Sequence, residues 1–318
     1  MPALPLNLDS DHHWVVPFAS FGQGGQRPDI PPLPNLQRLL AILREAHCIE
    51  TESTAFDAPH ELALAWAQGV PASTTGWPGA ALASAQPGTP QAWVHPVHLQ
   101  VGMDQVQLQP GEGLALSEAH ARALFDALQP LCAEDGVELR FDSPTRWHAQ
   151  GTRLGRLRCA SLDRVAGRSV AAWLPQGDEA RWLQRLMSEA QMLFYTHPVN
   201  DEREASRQLA INGIWVDAAG AVPTTTSGRP APHCVDSLRA SALQGDVAAW
   251  QNAWKALDAT LMRDLLARHN SGQALTLTLC GEQAALTLTA SRPGPWQRLG
   301  AALGMVRATT PTQLLNTL

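Results

Sequence analysis

The chain has 318 residues, a length that fits one large domain or two ordinary ones. Hydrophobic residues make up 45% and charged residues 16%, a balance that excludes an intrinsically disordered chain. The net charge is −6 and Lys255 is the only lysine, so we expect no clustered basic surface for binding nucleic acid or membrane lipids.

No apolar run approaches the ~20 residues that span a bilayer. The acidic N-terminus, residues 1–11, lacks the basic start and apolar stretch of a signal peptide. A cytoplasmic protein is therefore expected. The cysteines are scattered without a C-x-x-C pair, which indicates reduced thiols and leaves a nucleophilic cysteine open.

Hydrophobic periodicity and turn residues predict the secondary structure in chain order. The first half is predicted to contain a strand at 13–19, helices at 33–45 and 59–68, a loop at 71–91, two strands within 92–108, a helix from the cap Ser117 to about 128, a strand at 136–141, and a hairpin of 146–148 with 156–159. The second half is predicted to contain a helix from 178 to 197, a strand at 211–216, a loop at 223–232, a helix at 247–269, strands at 275–280 and 284–290, and a helix from Trp296.

Strands alternate with helices at both ends of the chain, while the middle is richer in strands. This pattern favours the α/β fold class. We predict that residues 1–91 and 171–318 form the α/β core and that residues 92–170 form a β-rich part, inserted in the core or appended to it.

Three motifs suggest metal or nucleotide binding at first sight. They are the acidic and histidine residues at 9–13, the pair His95 and His98, and the glycines at 22–25. Two histidines three apart on a strand point to opposite faces, and a dinucleotide loop must open directly into a helix, whereas prolines follow here. We favour ordinary structural roles for all three, and we expect no metal and no cofactor.

Residues 196–223 differ because they place polar side chains where a helix gives way to a strand. An arginine together with asparagine amides can bind a phosphate or carboxylate through charge-assisted hydrogen bonds. The alternative is a network of caps and turns that serves the fold alone. We predict a site for a small phosphorylated or carboxylate ligand beside Asn200, Arg203 and Asn212, with Arg146 and His98 as weaker candidates.

This segment resembles a signature of the archaeal-type cofactor-independent phosphoglycerate mutases, which runs H-P-[VI]-N-x-x-R and then N-x-I-W before a glycine. In this chain the matching positions are His197, Pro198, Val199, Asn200, Arg203, Asn212, Ile214, Trp215 and Gly220. The run LPNLQRLL at 33–40 is similar to the T-P-N-L-x-x-L helix of that alkaline-phosphatase-like superfamily. The resemblance implies an alkaline-phosphatase-like core.

Most of the chain also resembles a bacterial group labelled RpfE-type regulatory proteins. The recurring segments are HWVVPFA (13–19), HLQVGMDQV (98–106), EDGVELRFDSPTRW (134–147), ASLDRVAGR (160–168), EAQMLFYTHPVND (189–201) and LTLCGE (277–282). This second resemblance identifies a family and says little about activity.

The mutases of that superfamily carry a metal-binding Asp after the first strand, a Ser or Thr nucleophile nearby, and further Asp and His ligands. Here the first strand ends in Pro17, Phe18 and Ala19, so a two-metal site is expected to be lost. We therefore expect no catalytic residues and a regulatory or ligand-sensing protein. The alternative is an active phosphoglycerate mutase or related metal-dependent phosphotransferase. A protein partner stays open.

Overall fold

The structure is a computed structural model that describes residues 12–20, 22, 27–70, 76–84, 86, 88–224, 229–290 and 310–318. Helices and strands are mixed along this part of the chain, which confirms the predicted α/β class. Internal contacts divide the chain into two units: unit 1 holds residues 1–53, 62–68 and 228–318, and unit 2 holds 54–61 and 69–227. The three-part division with boundaries at 91 and 170 stays a prediction.

The strands are β1 (His13–Val16), β2 (Leu43–Glu50), β3 (Gln91–Val101), β4 (Val106–Pro110), β5 (Glu138–Ser143), β6 (Arg146–Gln150), β7 (Gly213–Gly220), β8 (His233–Cys234), β9 (Thr276–Cys280) and β10 (Ala284–Ala290). The α-helices are α1 (Pro34–Ile42), α2 (Pro59–Ala67), α3 (Gly79–Ser84), α4 (Glu118–Glu134), α5 (Leu162–Val165), α6 (Ala180–Tyr195), α7 (Pro198–Ala205), α8 (Arg239–Leu243), α9 (Val247–Leu257), α10 (Arg263–Asn270) and α11 (Pro311–Leu315). None of these helices is long and apolar enough to span a bilayer.

Unit 1 contains a five-stranded sheet in the order β2-β10-β9-β1-β8. The strand β1 runs parallel to both β9 and β8, while β9 and β10 form the predicted antiparallel hairpin. Every residue of β1 and β9 is buried, as expected for strands covered on both faces. The buried polar groups in these strands bond each other: His13 Nε2 lies 2.8 Å from Thr278 Oγ1, which lies 2.9 Å from Thr287 Oγ1.

The N-terminus of helix α1 is capped by a carboxylate that lies far away in the sequence of unit 1. Its own N-cap position, Leu33, supplies no side-chain hydrogen bond. The buried Asp258 instead accepts hydrogen bonds from the backbone N–H of Leu36 at 2.8 Å and of Asn35 at 3.2 Å. Asp258 opens a π-helical turn, Asp258–Met262, that lies between α9 and α10.

Unit 2 contains a sheet in the order β4-β3-β6-β5, with β7 on the other edge of β3. All of the strand pairings in this sheet are antiparallel. Along one edge of β3, residues 91–94 pair with β6 and residues 97–101 pair with β4. The helices α4 and α6 bury their apolar stripes in the same core as this sheet, around residues such as Leu128, Trp147 and Phe194. Ser117 caps α4 as predicted, through a bond from the N–H of His120.

Several predicted boundaries are wrong. The helix at 33–45 ends at Ile42, because Leu43 already pairs with Ala290 as the start of β2. The loop at 71–91 contains α3, and α4 continues past 128 to Glu134. The segment 146–148 pairs with β5 and not with 156–159. The helix predicted from Trp296 falls on 291–309, outside the described residues.

Candidate functional site

The side chain of Asn200, in α7, is bonded to the backbone that precedes this helix and to the backbone that follows it. Its amide Nδ2 donates to the carbonyls of Phe194 and Ile211, each at 2.8 Å. Its Oδ1 accepts from the N–H of Ile211, also at 2.8 Å. The side chain is buried, so these bonds replace the water that the same backbone groups would otherwise need.

Arg203 lies one helical turn further and is fully buried, with 0% of its surface exposed. Its Nε donates to the carbonyl of Leu209 at 2.8 Å, and its Nη2 donates to the carbonyl of Leu114 at 2.7 Å. The other terminal nitrogen, Nη1, has no acceptor, and no carboxylate of the described residues pairs with this guanidinium. Burial lowers the pKa of Arg203.

Asn212 and His98 fix the next residues of the same segment to β3. The amide of Asn212 pairs with Leu99 in both directions, accepting from its N–H at 2.6 Å and donating to its carbonyl at 3.0 Å. The Nδ1 of His98 lies 2.8 Å from the carbonyl of Ala210. Four of the five predicted site residues thus lie at or beside the segment 209–212, and their side chains bond the backbone.

Arg146 is the predicted residue that stands apart from this group. Its Nε donates to Asp142 at 2.9 Å, and its guanidinium stacks over the ring of Trp93 at 4.3 Å from the centroid. The first contact lies within the hairpin of β5 and β6, and the second reaches Trp93 of β3, so neither involves 209–212. Ligand binding at the five residues stays a prediction, while the bonds seen at four of them match the alternative network of caps and turns.

A second polar cluster lies inside unit 2, around Asp217, which is two residues after Trp215 in β7. Asp217 accepts from the N–H of Leu162 at 2.9 Å and lies 2.9 Å from the Nε2 of His95. The Nδ1 of His95 faces the carbonyl of Thr145 at 3.3 Å. Both ring nitrogens of His95 therefore lie near oxygen atoms.

Glu61 joins this cluster through Ser161. The Ser161 hydroxyl donates to Glu61 Oε1 at 2.7 Å, and the N–H of Ala58 donates to Oε2 at 2.8 Å. Burial raises the pKa of the Glu61 carboxyl well above its ordinary value, and the nearby charge of Asp217 raises it further. The acceptor of the Ser161 hydroxyl is thus a carboxyl oxygen and not an imidazole.

The backbone beside Asp217 departs from a regular strand. Ala218 has φ of +50°, a left-handed conformation that is uncommon for any residue except glycine. The register between β7 and β3 shifts at this point, between Gln91 and Trp93. An irregularity of this kind changes the direction in which nearby side chains point. Here it lies next to Asp217, whose carboxylate is buried.

The carboxyl end of β1 is where the resemblance implied a metal-binding Asp in related mutases. The positions there are Phe18 and Ala19, and their carbonyls accept the indole N–H groups of Trp250 at 2.9 Å and Trp254 at 3.0 Å. Two divalent cations need several carboxylates and imidazoles. The residues at this strand end do not fit such a pair, and no group of three potential metal ligands occurs among the described residues.

Sequence reasoning singled out His95 only as an ordinary histidine and passed over Asp217, Glu61 and Ser161. These partners are 55 to 122 residues apart along the chain, so no local spacing connects them. The available signal was indirect. Ser161 lies in the segment ASLDRVAGR, and Asp217 lies two residues after the signature Trp215, so both belong to segments already noted for their resemblance.

No family model and no curated protein matches this chain. Among solved structures, it is similar to the cofactor-independent phosphoglycerate mutase from Thermoplasma acidophilum DSM 1728, at 15% identity and a TM-score of 0.35, over 88% of this chain and 90% of that one. It is also similar to the PH0037 protein from Pyrococcus horikoshii, at 11% identity and a TM-score of 0.39, over 89% and 88% of the two chains.

Proposed function

We propose that this chain is a non-catalytic regulatory or ligand-sensing protein, an RpfE-type relative of the phosphoglycerate mutases. The proposed ligand is a small phosphorylated or carboxylate molecule bound beside Arg203. Family membership in this proposal rests on the sequence segments already quoted, and the ligand class rests on the chemistry of a guanidinium.

The non-catalytic part of the proposal rests on which residues lie at the carboxyl end of β1. In a parallel sheet this edge is where ligands and catalytic groups collect. Here Phe18 and Ala19 offer only backbone carbonyls, and the indoles of Trp250 and Trp254, both fully buried, occupy them. A position that carries a metal ligand in the related mutases therefore serves packing in this chain.

The proposal that an anion binds beside Arg203 is supported by the positive charge of this side chain, which no carboxylate of the described residues neutralises. A buried charge is costly unless a counter-charge and a full set of hydrogen bonds compensate it. Two neutral carbonyls bond this guanidinium, and Nη1 keeps an unused donor. An anion reaching Nη1 would supply both the missing acceptor and the missing charge, at a gain on the order of 1.5–3 kcal/mol for one charge-assisted bond.

The first experiment is a thermal-shift measurement with 3-phosphoglycerate, 2-phosphoglycerate and phosphoenolpyruvate. We expect at least one of them to raise the Tm of the wild type and to raise that of Arg203→Lys much less. Because Arg203 also bonds the backbone, the quantity compared is the ligand-induced shift and not the Tm itself. The matched control is Arg140→Ala, which removes an exposed arginine of unit 2 whose partner is Glu138.

The companion experiment measures conversion of 3- to 2-phosphoglycerate with added Mn²⁺. We expect no turnover above that of a mock purification. Robust, metal-dependent turnover would overturn the non-catalytic proposal and favour the mutase alternative. A ligand-induced Tm shift that is equal in the wild type and in Arg203→Lys would leave the protein a binder but place its ligand elsewhere.

A further inference from the structure

Unit 1 contains a cleft between α1 and α10 that the sequence analysis did not single out. Its volume is about 500 Å³, within the usual range for a small-molecule site. The cationic groups Arg38 and Arg263 lie on its lining, together with His269 and Asn270, and Ile42 and Leu266 add apolar surface. None of the described residues that line it carries a carboxylate.

The polar groups of this cleft are largely uncommitted. Within the part of the chain that the structure describes, the side chains of Arg38, His269 and Asn270 make no hydrogen bond or ion pair. Arg263 contacts only its neighbour Asp264, at 3.3 Å, with both side chains about two-thirds exposed. An exposed pair of this kind contributes little and is readily exchanged for another anion.

The two walls of the cleft are held in place by buried contacts. Asp258 bonds the first turn of α1, and it also accepts from the Asn35 side chain at 3.2 Å. The π-helical turn that Asp258 opens leads directly into α10. Turns of this kind are often found at functional sites. Here the turn contacts α1 through Asp258 and continues into α10, and these are the two helices that line the cleft. The walls are therefore preorganised, which reduces the entropy lost on binding.

We propose that this cleft binds a small organic anion. Arg38 and Arg263 would hold its oxyanion head, a phosphate or a carboxylate, and Ile42 and Leu266 would contact its carbon skeleton. Guanidinium groups suit both heads because their N–H donors match paired oxygens. The site lies in unit 1 and makes no use of Arg203, so it stands or falls independently of the function proposed above.

The test is isothermal titration calorimetry of the full chain at low salt with phenyl phosphate, benzoate and inorganic phosphate. We expect phenyl phosphate or benzoate to bind the wild type, and the stronger of the two identifies the head group. Arg38→Ala and Arg263→Ala should each weaken that binding about tenfold or more. Arg38→Lys should retain part of it, since the charge remains. Ile42→Ser should weaken the organic probe while leaving inorganic phosphate unchanged.

The matched control is Lys255→Ala, which removes one exposed cation from unit 1 away from the cleft. It should bind the probes as the wild type does. Equal affinity of the wild type, Arg38→Ala and Arg263→Ala would overturn the proposal, as would the absence of binding by all three probes. Binding that is lost in Arg203→Lys and kept in Arg38→Ala would place the anion at Arg203 and also overturn it.

Discussion

Two asparagines in this protein act as substitutes for backbone. Asn212 pairs with Leu99 through both its oxygen and its nitrogen, which extends the ladder between β3 and β7 by one rung. Asn200 does the same for Ile211 and adds a third bond to Phe194. An amide is the one neutral side-chain group that carries a donor and an acceptor in the geometry of a peptide.

We predict that Asn200→Ala destabilises the protein by about 2–4 kcal/mol. The substitution leaves the N–H and the carbonyl of Ile211 without partners, while the carbonyl of Phe194 keeps the N–H of His197. Each fully unsatisfied group costs about 1–3 kcal/mol before relaxation. Urea denaturation measures the change. The control is Glu204→Ala, an exposed position on the same helix, which should stay within about 0.5 kcal/mol. Equal midpoints for the two variants would contradict the structural role assigned to Asn200.

At the residue scale, sequence reasoning could find Asn200, Arg203, Asn212 and His98 as one group, because the signature places three of them within thirteen residues. It left open whether these groups bind a ligand or form a network of caps and turns, since the backbone partners Leu114 and Leu99 lie about a hundred residues upstream. The cluster of Asp217 with its partners could not be predicted from the sequence for the same physical reason. Burial and charge pairing depend on which strands become neighbours.

At the scale of an element, the helix α1 depends on a cap that comes from another helix. We predict that Asp258→Ala destabilises unit 1 by about 1–3 kcal/mol, because the first N–H groups of α1 lose a charged acceptor at the positive end of the helix dipole. Hydrogen exchange should quicken in residues 34–42 before the rest of the unit. Asp264→Ala removes an exposed carboxylate nearby and should leave this exchange unchanged. Protection of α1 that survives Asp258→Ala would contradict the assignment.

The elements themselves were predictable to different degrees. The hairpin of β9 and β10 was found because alternation over seven residues and a tight turn are local features. The end of α1 was missed because LREA continues a helical pattern, and only pairing of Leu43 with Ala290 makes it a strand. The helix α4 runs through Pro130 to Glu134, where packing of Cys132 in the core outweighs the local preference to stop.

At the scale of the whole molecule, burial disfavours the charged forms of His13 in unit 1 and Glu61 in unit 2, and the two groups have opposite effects on the pH dependence of stability. In unit 1, burial lowers the pKa of His13 from 6.5 to about 4. The folded state therefore resists protonation, and its stability is lost as the pH falls through this interval. In unit 2, the pKa of Glu61 is raised, so the folded state resists deprotonation and loses stability as the pH rises above about 4.5.

We predict that substitutions can separate the contributions of His13 and Glu61 to the pH dependence of the free energy of unfolding. Between pH 7 and pH 4.5 the wild type should lose stability relative to His13→Gln, by an amount approaching about 3 kcal/mol for a shift of this size. Over the same interval the wild type should gain stability relative to Glu61→Gln, because its carboxyl recovers the proton that the folded state favours. Urea unfolding at closely spaced pH values measures both differences, and each variant serves as the control for the other.

Since the two groups lie in different units, their effects should add in the double variant, as expected for sites that share no partners. Parallel pH profiles for the wild type and both variants would show that neither buried group titrates differently in the folded and unfolded chain.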